Sequence, residues 1–180
     1  ELEPEEIAEI AAGIEPTDGI FYPGIVQMNY MTGELIKSYG NAPKMIIAMF
    51  DMGGSINTVE FHSEYHGHED SPKELLEAID QLDVDFSPRQ IAHVATLSAL
   101  ANQKLVPKPH LEEIIKYSAT LGALGVNVAH SGTMVGVLFA PDESMKHVME
   151  AVEKIREKFP ELEYFETERL ISGGYDIEQR

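Results

Sequence analysis

Two glycine-containing loops and one acidic turn hold the residues whose types and spacing could do chemistry. His130-Ser131-Gly132-Thr133 joins the apolar runs 126–129 and 134–139. A glycine between hydroxyl residues at a strand junction leaves backbone N–H groups free, and such a concavity suits an anion. A plain hairpin turn has the same composition. Asp51-Met52-Gly53-Gly54-Ser55 ends the apolar run 45–50. That run reads as a buried strand, and ligands gather at strand ends. A flexible turn reads the same way. Glu15-Pro16-Thr17-Asp18-Gly19 follows an amphipathic stretch. A carboxylate held on a turn beside a hydroxyl can accept a proton from a substrate alcohol. A helix stop at Pro16 and a turn at Asp18-Gly19 account for the same residues.

Other reactive types are less ordered. His62, Glu64, His66, His68, Glu69 and Asp70 are chemically able to ligate a transition metal. Their spacing, H-x-x-x-H-x-H, matches no closed zinc pattern, so the segment reads as a polar loop before a capped helix, and no metal site is assigned. Lys44, Arg89, Lys104 and Lys108 are scattered cations. Each could meet a phosphate, but solvated surface is the default for such residues. Met28, Met31, Met45, Met49 and Met52 read as core filler.

These residues must be carried by a framework. Apolar residues at 7, 10, 11 and 14 predict a helix over 4–14, stopped by Pro16. Alternation over 20–38 around Met31-Thr32-Gly33 predicts a hairpin. Gly40-Asn41-Ala42-Pro43 marks a boundary between residues 1–42 and 43–180. An extended segment is expected at 58–62. Ser71-Pro72-x-Glu74 and Ser87-Pro88-x-Gln90 look like capping boxes and predict helices over 72–82 and 88–103. Further helices are expected over 109–121 and along the stripe Met145, Val148, Met149, Val152, Ile155, Phe159, followed by a strand over 162–171. The order from residue 44 predicts an α+β fold, with helices on one face of a mostly antiparallel, ferredoxin-like sheet.

Composition excludes several classes. With 31 acidic and 13 basic residues the net charge is −18. That disfavours nucleic-acid backbones and anionic membrane surfaces, which need clustered Lys and Arg. No apolar run reaches membrane-span length. The chain has no cysteine, hence no disulfide and no thiolate nucleophile. These features fit a cytoplasmic protein.

Three segments in order, EPTDG, FDMGGSINTVEFH and GALGVNVAHSGTMVGVLF, together with ATLSALANQKLVPKPHLEEI between the last two, resemble the GHMP kinase superfamily. Within it they are most similar to the branch of L-threonine kinases of cobalamin biosynthesis. The resemblance implies a ferredoxin-like C-terminal GHMP domain over 43–180, preceded over 1–42 by the tail of a ribosomal S5 domain 2-like N-terminal domain. It implies ATP and Mg²⁺ as cofactors and a small alcohol as acceptor, with O-phospho-L-threonine as product. Asp18 falls where the superfamily's SGxxD-type segment places the carboxylate that meets the hydroxyl, with Thr17 beside it. Ser131, Gly132 and Thr133, with His130 before them, match the glycine-rich loop that closes over phosphate and acceptor, although AHSGT stands where the wider superfamily has a TGAGGGG-like loop. Gly53, Gly54 and Ser55 match a segment of the threonine-kinase branch and are expected at the substrate's edge. The family's main ATP loop, P-x-x-x-G-L-x-S-S, does not occur in the sequence, and the chain opens without Met. The expectation is the C-terminal portion of a kinase, inactive without the N-terminal region that would be its partner. A non-catalytic domain that binds a metabolite or dimerises through its sheet is the alternative.

Overall fold

Local signals start the first helix, α1 (Pro4–Ala12). Pro4 occupies its first turn, where no N–H partner is needed, and Glu3 and Glu6 cap it reciprocally. The computed structural model describes residues 2–14, 17–54, 71–104, 106–129 and 132–173. The chain divides into two units, Glu1–Pro43 with Ile171–Arg180, and Lys44–Leu170.

In the first unit, α1 is followed by a single 3₁₀ turn, Gly19–Phe21, and by the antiparallel strands β1 (Ile25–Met28) and β2 (Leu35–Gly40). Gly33 reverses the chain with φ 78°. A Cβ at Gly33 would lie 2.5 Å from the Ala8 carbonyl, so only glycine lets α1 approach the hairpin this closely. The Tyr22 hydroxyl locks the same contact by donating to the Gly33 carbonyl at 2.7 Å. Burial, then the charges of Glu5 and Glu9, push the Tyr22 phenol above its ordinary pKa. Met31 is exposed and does not fill a core.

The second unit runs β3 (Ile46–Asp51), α2 (Lys73–Asp80), α3 (Pro88–Asn102), α4 (Leu111–Thr120), β4 (Gly125–Val128), β5 (Met134–Phe139), α5 (Met145–Lys158) and β6 (Glu163–Arg169). The sheet order is β4-β5-β3-β6 and every pairing is antiparallel. This is the ferredoxin-like arrangement, with α2 to α4 forming one crossover and α5 the other. Ile46, Ala48 and Phe50 of β3 and Val135, Val137 and Phe139 of β5 form one core with Leu111 and Ile114 of α4 and Val148, Val152 and Ile155 of α5. Each of these side chains other than Ala48 contributes about 1.5–3 kcal/mol on burial.

The helices are not confined to one face. Ile47 and Leu138 have the opposite parity, and they pack with Ile91, Ala92 and Ala95 of α3. α3 lies along the β4 edge, where Thr96 Oγ1 accepts the Val126 N–H at 2.9 Å. A free sheet edge is thereby satisfied by a helix.

The caps differ from expectation in detail. Ser87 caps α3 by accepting the Gln90 N–H, but the Gln90 side chain donates to Ala78 of α2 instead of closing a box. Ser71 does not cap α2, which begins one residue late, with Pro72 as its N-cap and no side-chain cap. Met145 is exposed at the start of α5, outside its inward stripe. The extended segment expected at 58–62 and the His62–Asp70 cluster lie outside the described residues. Among the described residues no helix is long and apolar enough to cross a membrane.

Candidate functional site

Strand pairing brings two of the three sequence-derived segments together. Asp51, last in β3, sits opposite Met134, first in β5. The chain leaving β3 and the chain entering β5 therefore run side by side. The Met52 N–H donates to the Thr133 carbonyl at 3.1 Å, which extends the ladder one step beyond the strands. The Asp51 carboxylate accepts from the Gly53 N–H at 2.9 Å. The Thr133 hydroxyl and this N–H, in that order of weight, hold the Asp51 carboxyl below its ordinary pKa.

Gly53 and Gly54 follow with φ 71° and 87°, and among the described residues a Cβ at either would meet nothing within 4 Å. Both adopt a backbone that other residues rarely take. Gly132 differs. Its φ is not left-handed, and a Cβ there would lie 3.0 Å from the Ala129 Cβ. Close approach, not backbone freedom, explains the glycine at 132. Ser55, His130 and Ser131 lie outside the described residues.

The acidic turn belongs to the first unit. The Thr17 N–H donates to the Tyr30 carbonyl at 3.0 Å, tying the turn to the hairpin. Asp18 precedes the 3₁₀ turn, exposed, with extended backbone and no side-chain cap bond. A Cβ at Gly19 would come 2.9 Å from Val26 Cγ2, so the residue after the carboxylate packs directly on β1.

The connection between α3 and α4 carries two residues to the same end of the sheet as Asp51 and Thr133. Ala92 lies against Gly125 and Thr96 against Val126, so α3 runs in the direction of β4. Its C-terminal end, with the buried Asn102, lies toward Ala129, where the loop to β5 begins. Gln103 then grips the main chain of Lys108 at both its groups. The Lys108 N–H donates to Gln103 Oε1 at 2.6 Å, and Gln103 Nε2 donates to the Lys108 carbonyl at 3.0 Å. Lys44, Arg89 and Lys104 are exposed, as expected. Lys108 is not a surface residue: it is 4 % exposed, and its Nζ has no hydrogen-bond partner. Burial pushes this ammonium below its ordinary pKa.

Asp51 and Lys108 are the residues that sequence reasoning undervalued. Asp51 opens the DMGGS segment, where only the glycines and the serine were assigned. Lys108 is framed by Pro107 and Pro109, a visible sign of a stiff connection.

Residues 75–158 match the family described as GHMP kinases C terminal. That match lies within the second unit. The chain is 21 % identical over 189 residues to an L-threonine kinase of Citrobacter freundii, covering 99 % of this chain and 64 % of that protein. It is 22 % identical over 142 residues to an L-threonine kinase of Salmonella typhimurium, covering 76 % of this chain and 47 % of that protein. The chain thus spans about half to two thirds of the length of these curated relatives. Among solved structures it is similar to Leishmania major mevalonate kinase in complex with R-mevalonate, with TM-score 0.62, 16 % identity and coverage of 93 % of this chain and 58 % of that one. It is also similar to Methanococcus jannaschii mevalonate kinase, with TM-score 0.59, 18 % identity and coverage of 94 % and 57 %. These structural likenesses establish the fold.

Proposed function

We propose that this chain is the acceptor-side portion of an ATP-dependent kinase that phosphorylates a small alcohol, with L-threonine as the first candidate. The observation that carries the reading is the pairing of Asp51 and Met52 with Thr133 and Met134 at one sheet end, together with the match of residues 75–158 to the GHMP kinase C-terminal family. The names of the curated relatives favour threonine over other alcohols. The setting is the cytoplasm, where ATP is abundant.

The chemistry assigned to this chain is binding and orientation, which dominate phosphoryl transfer. The open backbone at Gly53 and Gly54 leaves room for a ligand against the strand end. The Thr133 hydroxyl is held by the Asp51 carboxylate. Asp18 is the candidate to orient or deprotonate the acceptor hydroxyl. ATP would supply the transferred phosphoryl group. Among the described residues no cluster of three or more His, Asp or Glu could hold a metal ion, and no step is assigned to one.

The test is acceptor-dependent ADP release by the protein expressed from its complete reading frame, with L-threonine, L-serine and mevalonate compared. Release with threonine, and a fall of about 10²–10⁴-fold in Asp18→Asn, is the expected result. No release with any alcohol, alongside binding of one of them by calorimetry, would make this a non-catalytic metabolite-binding domain.

A further inference from the structure

We propose that Lys108 binds an anionic oxygen group, a carboxylate or a phosphoryl group, of the ligand at the Asp51–Thr133 end of the sheet. The inference rests on the reading of that end as the acceptor site. The first observation is the ammonium itself. Its Nζ is sealed from solvent and makes no hydrogen bond. A buried unpaired charge is strongly unfavourable, and such a group is retained where something is to be gained from it.

The second observation is how firmly the rest of the residue is held. Gln103 bonds both its N–H and its carbonyl. Pro107 and Pro109 restrict the backbone on either side, and His110 follows at φ 57°, a left-handed conformation that is uncommon outside glycine. Strain of this kind clusters at functional sites. The main chain of Lys108 is therefore fixed at both its polar groups.

The third observation is electrostatic. In a chain of net charge −18, with the Asp51 carboxylate at the same sheet end, an anionic ligand is repelled unless a local cation meets it. The end of α3 brings Lys108 there. Its lowered pKa follows from the same burial, and a partner anion would reverse it.

The experiment follows thermal melting and calorimetry of the full chain, wild type against Lys108→Met and Lys108→Gln. The probes are inorganic phosphate, L-threonine and L-threoninol, which lacks the carboxylate, all at matched ionic strength. Without ligand, Lys108→Met is expected to melt about 2–4 °C higher, because an apolar stem replaces an unpaired charge. Both variants are expected to lose about tenfold or more in affinity for one anionic probe. Loss of discrimination between threonine and threoninol assigns Lys108 to a carboxylate; loss of phosphate binding alone assigns it to a phosphoryl group. Unchanged affinity for both anions in the variants, or no anion binding by the wild type, overturns the proposal. ADP release measured in parallel on the protein expressed from its complete reading frame reports separately on phosphotransfer, so anion binding there without turnover of any of the alcohols refutes the proposed function and leaves this inference standing.

Discussion

The two ends of the four-stranded sheet use similar parts to different effect. At one end, α4 closes on Gly122, with φ 90°. The Gly122 N–H bonds to Ala119 and the Ala123 N–H to Ser118, a Schellman closure. His147 Nε2 bonds to the Leu121 carbonyl at 2.9 Å, and Ser144 caps the His147 N–H. Polar groups there are consumed by structure, and a Cβ at Gly122 would already lie 3.2 Å from the His147 ring. At the other end, Gly53 and Gly54 are also left-handed but have no described residue within 4 Å of a Cβ, Asp51 is partly exposed, and Lys108 has an unspent ammonium. Left-handed glycines alone do not mark a site. What separates the ends is whether neighbouring polar groups are already used.

The sharpest way to break the contrast is Gly132→Val in the complete protein. A branched side chain must displace Ala129, 3.0 Å from the glycine's Cβ position, and it fills the loop. Acceptor-dependent ADP release should fall by at least about 10²-fold, the scale of a misplaced substrate, while circular dichroism melting barely moves. Normal turnover would take this loop out of the site.

Thr96→Val tests the structural side. It removes the acceptor of the Val126 N–H, and an orphaned buried N–H costs about 1–3 kcal/mol. Denaturant unfolding should show that loss, with turnover per folded molecule unchanged.

The matched pair Gly53→Ala and Gly122→Ala sharpens the comparison. Each forces alanine into a left-handed conformation at a cost of about 1–2 kcal/mol. Urea melts should place the two variants close together, while ligand affinity should drop only in Gly53→Ala. Equal binding by both would erase the functional difference between the ends.

Asp51 provides the smallest effect, and it depends on pH. Its folded pKa is depressed, so its stabilising contribution is present above the unfolded value and is lost as pH falls through the folded one. Wild type should melt above Asp51→Asn near neutrality, and the gap should close in acid. A gap that persists below the folded pKa would mean that shape, not charge, matters at residue 51.

Much of the framework was legible because its causes are local. Apolar spacing and the Ser87 cap produced α3 where periodicity put it, and Pro160 follows the end of α5. Ser71 misled because a serine before proline looks like a cap, whereas Pro72 itself took that position. The loop 132–133 and the glycines at 53 and 54 were visible as strand interruptions. Their adjacency was not, because it depends on which strands pair.

From the sequence by itself came the periodic elements, the turn glycines, the acidic character and the likeness to a kinase superfamily, since each is written in residues close along the chain. Tertiary structure alone decided that β3 lies beside β5, so that Asp51 meets Thr133 across 82 residues of sequence. It alone decided that Lys108, one basic residue among 13, is the buried one among the described residues. Burial and pairing are properties of the packed chain: desolvation is set by what surrounds a group in space, and no local pattern records it.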